Sequence, residues 1–165
     1  MQMPPDIARL AEAVVTALTA EGLTISTAES CTGGLIAGAL TSVAGSSAVV
    51  YGGFVTYANE AKIAMVGVPF GLLRAHGAVS KEVAMAMAEG ALAAAGTHLG
   101  VAVTGVAGPG GGSAEKPVGL VHFAVASGDE TRHLRKAFDP AWSREQIRHA
   151  SVIEALKLVQ KAARS

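Results

Sequence analysis

Two short stretches of the sequence contain side chains that could carry out catalysis, and the first is TAESCTGG, residues 27–34. It places Ser30 and Cys31 between a predicted strand and a predicted helix. N–H groups at a helix start have no partner within the helix, and the glycines would let a ligand approach them. A nucleophile here would therefore have an oxyanion site beside it. Alternatively, Ser30 and Thr32 cap the helix and Cys31 is packed as a small apolar residue.

The second stretch is VTYANEAKIAMVGV, which contains Lys62 among mostly apolar residues. If residues 59–66 form a helix, the Lys62 amine can point back toward the end of the preceding strand, where Tyr57 lies. Lysine acts as a general base only when neutral, so its ordinary pKa of ~10.4 would have to fall by several units. Burial or a nearby positive charge can lower it. Alternatively, Lys62 is a surface lysine whose amine reaches water.

A glycine-rich segment, VTGVAGPGGG at residues 103–112, could bind a ligand through its backbone. Thr104 and Gly105 end a predicted buried strand, and five glycines fall between positions 105 and 112. Such a loop can offer main-chain N–H groups to a phosphate or a ribose. It is not a P-loop, since no Gly-Lys-Ser/Thr follows, and not a dinucleotide fingerprint, since a strand follows it. The alternative is a flexible connection.

Arg148 is a further candidate, on a predicted C-terminal helix over residues 143–163. It shares a helix face with the apolar residues Val152 and Leu156. An arginine at the head of a buried stripe is expected to point at an anionic group, unless it lies at the edge of the stripe and reaches water. Arg144 lies one turn earlier on nearly the same face.

Composition limits the class of protein. The 165 residues suggest one domain, residues 1–165, with half of them hydrophobic and a formal net charge of zero. Zero charge argues against nucleic-acid binding. Cys31 is the only cysteine, which excludes an internal disulfide and a cysteine-rich metal site. Without a leader pattern or an apolar run of ~18 residues, we expect a soluble cytoplasmic protein that does not bind membranes.

The hydrophobic pattern predicts how these candidates are positioned. We expect helices over residues 6–20, 33–42, 59–66, 80–96 and 143–163. We expect strands over residues 23–28, 47–57, 99–106, 118–126 and 131–138. Helices and strands alternate early in the chain, while the last two strands form a hairpin and must be antiparallel. The sequence therefore predicts an α/β fold, a three-layer α/β/α sandwich with a mixed parallel/antiparallel sheet.

Four stretches in order resemble the CinA C-terminal-domain family, which contains nicotinamide-nucleotide amidohydrolases. They are TAESCTGGLIAGALTSVAGSS, YGGFVTYANEAKIAMVGV, HGAVSKEVAMAMAEGAL and VAVTGVAGPGGGSAEKPVGLVHFAV. The resemblance covers roughly residues 7–160, and the chain resembles the stand-alone form of the family. It implies hydrolysis of nicotinamide mononucleotide (NMN) to nicotinic acid mononucleotide and ammonia, with no metal or cofactor, and a homodimer.

The resemblance also implies roles for individual residues. Ser30 is the expected nucleophile, Lys62 its general base and Tyr57 a supporting hydroxyl. The expected substrate-binding residues are Cys31, Thr32, Gly33 and Gly34 around the oxyanion, Thr104, Gly105, Gly108 and Gly110 at the nucleotide, and Arg148 at the phosphate.

One departure and three rival interpretations accompany the resemblance. Family members usually follow the last strand with a Gly-Asp-Arg turn, whereas this chain has FDPAWSREQIR. The family pattern therefore does not identify which residues of this turn would contact a substrate phosphate. The domain could instead bind or sense a nucleotide without catalysis. It could be a hydrolase with Cys31 as the nucleophile. It could also be a scaffold protein, which the neutral charge does not support.

Overall fold

A five-stranded mixed sheet forms the centre of the fold in the computed structural model, which describes residues 2–164. Its order is β2-β1-β3-β4-β5, and β1 is parallel to β2 and β3, whereas β4 is antiparallel to β3 and β5. The strands are β1 (Ile25–Glu29), β2 (Val50–Val55), β3 (Leu99–Gly105), β4 (Leu120–Ala126) and β5 (Thr131–Ala137). The predicted mixed sheet and its final hairpin are confirmed.

Helices cover both faces of the sheet, which confirms the predicted three layers. One face carries α1 (Pro5–Glu21), α2 (Leu35–Thr41) and α6 (Arg144–Ala163). The other carries α3 (Asn59–Val66), α4 (Phe70–His76) and α5 (Lys81–Ala95). Two hydrophobic cores result, one between the sheet and α1, α2 and α6, the other between the sheet and α5. None of the helices within residues 2–164 is both long and apolar enough to cross a membrane.

Two elements differ from the sequence prediction. Helix α4 was not predicted, because its seven residues begin after Pro69, include Gly71 and bury only Leu73, which leaves no helical periodicity to detect. Strand β2 begins later than predicted because residues 46–48 form a 3-10 turn. A bulge at Tyr51 interrupts the pairing of β2, since Ile25 pairs with Val50 but Ser26 pairs with Gly52.

The parallel strands position the candidate residues. Their carboxyl ends lie at the same edge of the sheet, where ligands bind in open α/β folds. Ser30 follows β1 and donates its N–H to the carbonyl of Val103 at 2.9 Å. Thr56 follows β2 and donates its N–H to the carbonyl of Glu29 at 2.8 Å. The segments after β1, β2 and β3 are therefore held side by side.

Candidate active site

A cavity of about 250 Å³ opens at this edge of the sheet. Eight of the predicted site residues line it: Ser30, Cys31, Tyr57, Lys62, Thr104, Gly105, Gly108 and Gly110. The cavity therefore joins the TAESCTGG stretch, the lysine stretch and the glycine-rich segment, which are far apart in the sequence. The remaining four predicted residues, Thr32, Gly33, Gly34 and Arg148, do not line it.

Ser30 and Lys62 contact each other inside this cavity. The Lys62 Nζ lies 3.0 Å from the Ser30 Oγ, and the Lys62 side chain is only 1% exposed. The same Nζ donates to the carbonyls of Thr56 at 2.8 Å and Tyr57 at 3.2 Å. Burial lowers the pKa of Lys62 below its ordinary value because the charged form loses hydration. In the neutral amine, two N–H groups can serve the two carbonyls, which leaves the lone pair for the Ser30 hydroxyl proton.

Glu29, directly before Ser30, holds the turn in place. Its carboxylate is 1% exposed and accepts a hydrogen bond from the Thr32 hydroxyl at 2.6 Å. It also accepts from the backbone N–H groups of Ile36 at 2.9 Å and Ala37 at 3.0 Å. These are donors that the start of α2 cannot pair within the helix. The first turn of α2 is thus bonded to Glu29, so it is not available to a substrate.

The possible oxyanion donors are therefore fewer than the sequence suggests. We call residues 30–34 the nucleophile turn. Within it, Gly33 donates its N–H to the Ser30 carbonyl at 3.1 Å. Among residues 2–164, no oxygen accepts a hydrogen bond from the N–H groups of Cys31, Thr32 or Gly34. Since Cys31 lines the cavity and Thr32 follows it, their N–H groups are the best placed to bind an oxyanion.

Arg148 lies behind the nucleophile turn instead of in the cavity. Its Nε donates to the Cys31 carbonyl at 3.1 Å and its Nη2 to the Thr32 carbonyl at 3.4 Å. Gly33 has a φ of +57°, and a Cβ there would lie 3.4 Å from the same guanidinium. Arg148 therefore binds two carbonyl oxygens rather than an anionic group, and it supports the nucleophile turn.

Tyr57 lies at the mouth of the cavity, 60% exposed. Its carbonyl contacts Lys62, but its hydroxyl accepts a hydrogen bond from the Nη2 of Arg144 at 2.8 Å. The Nη1 of Arg144 donates to the carbonyl of Gly108 at 2.7 Å. Arg144 thus spans the mouth between the segment after β2 and the segment after β3. The structure places Arg144, rather than Arg148, where an anionic part of a ligand could reach it.

The opposite wall comes from the glycine loop, residues 106–119, and from the end of β3. Thr104 is 1% exposed and donates its hydroxyl to the carbonyl of Ala78 at 2.9 Å, which joins β3 to the segment before α5. Two glycines are needed for packing. A Cβ at Gly105 would lie 2.7 Å from Val121, and one at Gly108, where φ is +75°, would lie 2.5 Å from Val118.

The mouth of the cavity favours an anionic group. Arg144 lies there, and no Asp or Glu is among the lining residues in the described chain, so with Lys62 neutral the guanidinium is the charge that a ligand meets. Nowhere in residues 2–164 do three or more His, Cys, Asp or Glu side chains come together in a way that could hold a metal ion. The cavity thus combines a hydroxyl, a buried amine and an arginine, and Cys31, whose N–H group has no oxygen acceptor within residues 2–164, lies beside them.

Sequence reasoning missed three residues of this site. Arg144 was noted only as a neighbour of Arg148, and the Ser143 N-cap that fixes the start of α6 was the signal for its position. Asn59 lines the cavity as the first residue of α3 and was not considered. Glu29 lies within the TAESCTGG stretch, at the end of a strand that is otherwise uncharged. A lone carboxylate in such a strand was the signal that Glu29 accepts hydrogen bonds in the interior.

Comparisons with known proteins show the family of this chain. The model of the CinA C-terminal domain matches residues 7–163. The chain is 50% identical over 155 residues to a CinA-like protein of Anaeromyxobacter dehalogenans and 52% identical over 151 residues to one of Synechococcus. These matches cover 94% and 92% of this chain but only 38% and 36% of those relatives, so the chain spans less than two fifths of their length.

Solved structures match over their whole length. The crystal structure of a competence/damage inducible protein from Agrobacterium tumefaciens is 51% identical, with a TM-score of 0.95 and full coverage of both chains. A CinA superfamily protein from Klebsiella pneumoniae is 34% identical, with a TM-score of 0.90, covering 95% of this chain and 97% of that one. The chain belongs to the CinA C-terminal-domain family.

Proposed function

We propose that this domain hydrolyses the carboxamide of NMN, releasing ammonia and nicotinic acid mononucleotide, with Ser30 as the nucleophile and Lys62 as the general base. The observation that carries the proposal is the 3.0 Å contact between the Lys62 Nζ and the Ser30 Oγ in a buried position. Within residues 2–164 no carboxylate pairs with the Lys62 amine, and burial lowers its pKa, which is the state in which a lysine can accept a proton.

The reaction proceeds in two stages. Neutral Lys62 takes the Ser30 proton while the Ser30 Oγ attacks the carboxamide carbon, and the N–H groups of Cys31 and Thr32 bind the resulting oxyanion. The carbon–nitrogen bond breaks, and the Lys62 ammonium gives its proton to the leaving nitrogen, which departs as ammonia. Water then attacks the acyl-enzyme, Lys62 takes its proton, and the Ser30 oxygen leaves and is reprotonated.

Two features support NMN as the substrate. Its pyridinium ring carries a fixed positive charge, which would disfavour the ammonium form of Lys62 and withdraw electrons from the carboxamide carbon. Its phosphate would find Arg144 at the mouth of a cavity whose lining residues carry no carboxylate. The cavity volume of about 250 Å³ is just below the ~300–1,000 Å³ of small-molecule sites, and its open mouth lets the phosphate extend toward Arg144.

The test is ammonia release from NMN by the purified chain, beside its Ser30→Ala and Lys62→Met variants. We expect turnover by the wild type and a loss of at least about 1,000-fold in each variant, because nucleophile and base act as a unit. Lys157→Met is the matched control, since that lysine lies on the exposed surface of α6, and it should leave the rate unchanged.

Other outcomes would support the rivals. A wild-type chain that binds NMN without releasing ammonia would favour the nucleotide-binding interpretation and overturn the proposal. Loss of activity in Cys31→Ala with retention in Ser30→Ala would favour Cys31 as the nucleophile. Burial raises the pKa of the Cys31 thiol to about 12, so the reactive thiolate is strongly disfavoured, and we expect Cys31→Ala to stay active.

A further inference from the structure

A second cavity, of about 660 Å³, borders the nucleophile turn on the side of α6. Leu35, which directly follows the turn, lines this cavity, and so does Arg148, which donates to two carbonyls of the turn. Within residues 2–164, Arg144 is the only residue that lines both this cavity and the candidate active site. The volume of the second cavity lies within the ~300–1,000 Å³ of small-molecule sites. We call it the rear cavity.

The lining of the rear cavity combines positive charge with apolar side chains. Two arginines, Arg144 and Arg148, outnumber the one carboxylate among the lining residues, that of the exposed Glu145. His149 also lines the cavity, and its Nε2 already contacts the Asp6 carboxylate at 2.8 Å. A ligand that fits this lining has an apolar body and one anionic group. The apolar lining residues come from the start of the chain, from α1, from α2 and from α6, and they are Met3, Pro4, Ile7, Leu35 and Val152.

Arg148 has a donor group that the described part of the chain does not use. Its Nε and Nη2 donate to the nucleophile turn, but within residues 2–164 its Nη1 has no acceptor and no carboxylate forms an ion pair with it. Arg144, by contrast, uses both of its terminal nitrogens at Tyr57 and Gly108. A carboxylate in the rear cavity could therefore bind the Nη1 of Arg148 without breaking a hydrogen bond, in the charge-assisted pairing that suits a guanidinium.

One peptide group connects Arg148 to the catalytic step. The Cys31 carbonyl, which accepts from the Arg148 Nε at 3.1 Å, and the Thr32 N–H, which is one of the two best-placed oxyanion donors, belong to the same planar unit. Hydrogen bonds in series polarise one another, so donation by the guanidinium makes the Thr32 N–H a stronger donor. An anion beside the guanidinium would offset its charge and weaken this polarisation.

We propose that the rear cavity binds an aliphatic carboxylate, and that the bound ligand slows the reaction through Arg148. The apolar lining would bury the aliphatic chain, while the Nη1 of Arg148 would bind the carboxylate. A cationic ligand would meet two arginines, and a neutral one would leave the Nη1 unpaired. Binding itself is independent of the reaction, whereas the effect on the rate rests on the proposed function.

The test titrates the purified chain with octanoate and follows the backbone amides by NMR, without any substrate. We expect saturable shifts at Leu35 and Val152, which line the rear cavity, and at the Thr32 amide, which the guanidinium polarises. At saturating octanoate, kcat for NMN should fall about 3-fold with KM unchanged, because loss of a whole oxyanion donor costs ~10²–10³ in kcat and here one donor is only weakened. Octylammonium, which has the same chain and the opposite charge, should neither bind nor slow the reaction.

Two variants locate the site. Met3→Trp should fill the rear cavity with a larger side chain, weaken octanoate binding at least about 10-fold and leave kcat without octanoate unchanged. Arg148→Met should also weaken binding at least about 10-fold, because the carboxylate loses its partner. Arg9→Met is the matched control, since Arg9 is an exposed arginine of α1 that does not line the cavity, and it should bind octanoate like the wild type. If Arg148→Met does not fold, Met3→Trp carries the test.

Three results would overturn the proposal. The first is a wild type that shows no saturable shifts with octanoate. The second is binding that persists in Met3→Trp, or that raises KM and leaves kcat unchanged, since either would place octanoate outside the rear cavity. The third is octanoate in the rear cavity with the Thr32 amide and kcat unaffected. A chain that binds octanoate with a shifted Thr32 amide but does not hydrolyse NMN would overturn the proposed function alone, and would support the rear cavity and its link to Thr32.

Discussion

The nucleophile turn and the glycine loop face each other across the cavity, but they are held in different ways. The turn is fixed by the buried Glu29 carboxylate, which accepts hydrogen bonds from Thr32 and the start of α2, and by Arg148, which donates to the Cys31 carbonyl. The glycine loop is exposed from residue 109 to residue 115. Its ends are held by backbone hydrogen bonds, from Val106 to the Leu120 carbonyl and from Phe138 to the Gly119 carbonyl. Between its ends, within the described chain, it is joined to other segments by Arg144, which donates to the Gly108 carbonyl, and by Lys116, which donates to the carbonyl of His76.

The difference indicates that the two segments have different tasks, the turn in catalysis and the loop in substrate binding. A nucleophile and its base must be held within a fraction of an ångström, and buried hydrogen bonds within the domain achieve this. A loop that binds a substrate through its backbone benefits from glycines and from fewer bonds. Substitutions that loosen the turn should therefore reduce the rate and the stability together, whereas substitutions on the loop side should reduce binding alone.

The largest effect is expected from Glu29→Gln, which keeps the shape but replaces one acceptor oxygen by an NH₂ group. At least one donor among Thr32, Ile36 and Ala37 would then lose its partner in a buried place. We expect kcat for NMN to fall about 100-fold with KM little changed, and the free energy of unfolding to fall by about 2–4 kcal/mol. Steady-state kinetics and urea denaturation would measure both.

The control for this prediction is Glu12→Gln, since Glu12 is an exposed glutamate of α1. It should change neither quantity. A Glu29→Gln protein with normal kcat and a raised KM would show that the turn tolerates loosening, and the division between turn and loop would be wrong.

A smaller effect is expected from Arg144→Met, which removes the side chain that spans the mouth of the cavity. Arg144 is exposed and donates to the Tyr57 hydroxyl and the Gly108 carbonyl. We expect KM for NMN to rise about 10–100-fold through loss of the phosphate contact, with the free energy of unfolding changed by less than about 0.5 kcal/mol. Arg74→Met, an exposed arginine of α4, is the control. A large loss of stability would contradict the comparison.

The family resemblance predicts that Ser30 and Lys62 act together, and the fold explains how they meet, because both follow parallel strands. The strand ends must share an edge of the sheet, and a short helix after β2 turns the lysine back toward it. The apolar periodicity was sufficient to predict the three layers, because each apolar face of a helix or of the sheet must be covered by another element. The motifs of the family resemblance supplied the roles.

The missed features had local signals, but their partners lie in other segments that no local pattern records. The donors to the Glu29 carboxylate could not be identified from the sequence, since two of the three belong to α2. Helix α6 starts where the sequence predicts, at the capping box of Ser143 and Gln146. Arg144 and Arg148 are one helical turn apart on nearly the same face, so helical spacing alone does not show that Arg144 reaches the cavity and Arg148 the back of the nucleophile turn.

The last effect is seen only on acidification and concerns the side of the cavity that carries the glycine loop. His122, on β4 directly after the loop, is 8% exposed and lies opposite Thr104, with its Nδ1 2.9 Å from the Nε2 of His133. Burial, and then the neighbouring positive charges, His133 first, lower the pKa of His122 to about 4. An unfolded histidine has a pKa of ~6.5, so between these values the unfolded chain binds more protons.

Stability should therefore fall as the pH falls from 6.5 to 4, with a contribution from His122 of about 3 kcal/mol when the change is complete. Urea denaturation of the wild type and of His122→Gln across this range would measure it, and the variant should lose less stability on acidification. His76→Gln, an exposed histidine of α4, should follow the wild type. Equal pH dependence in all three proteins would show that protonation of His122 does not destabilise this side of the cavity. The smaller number of hydrogen bonds on the glycine loop would then be the only physical difference between the two sides.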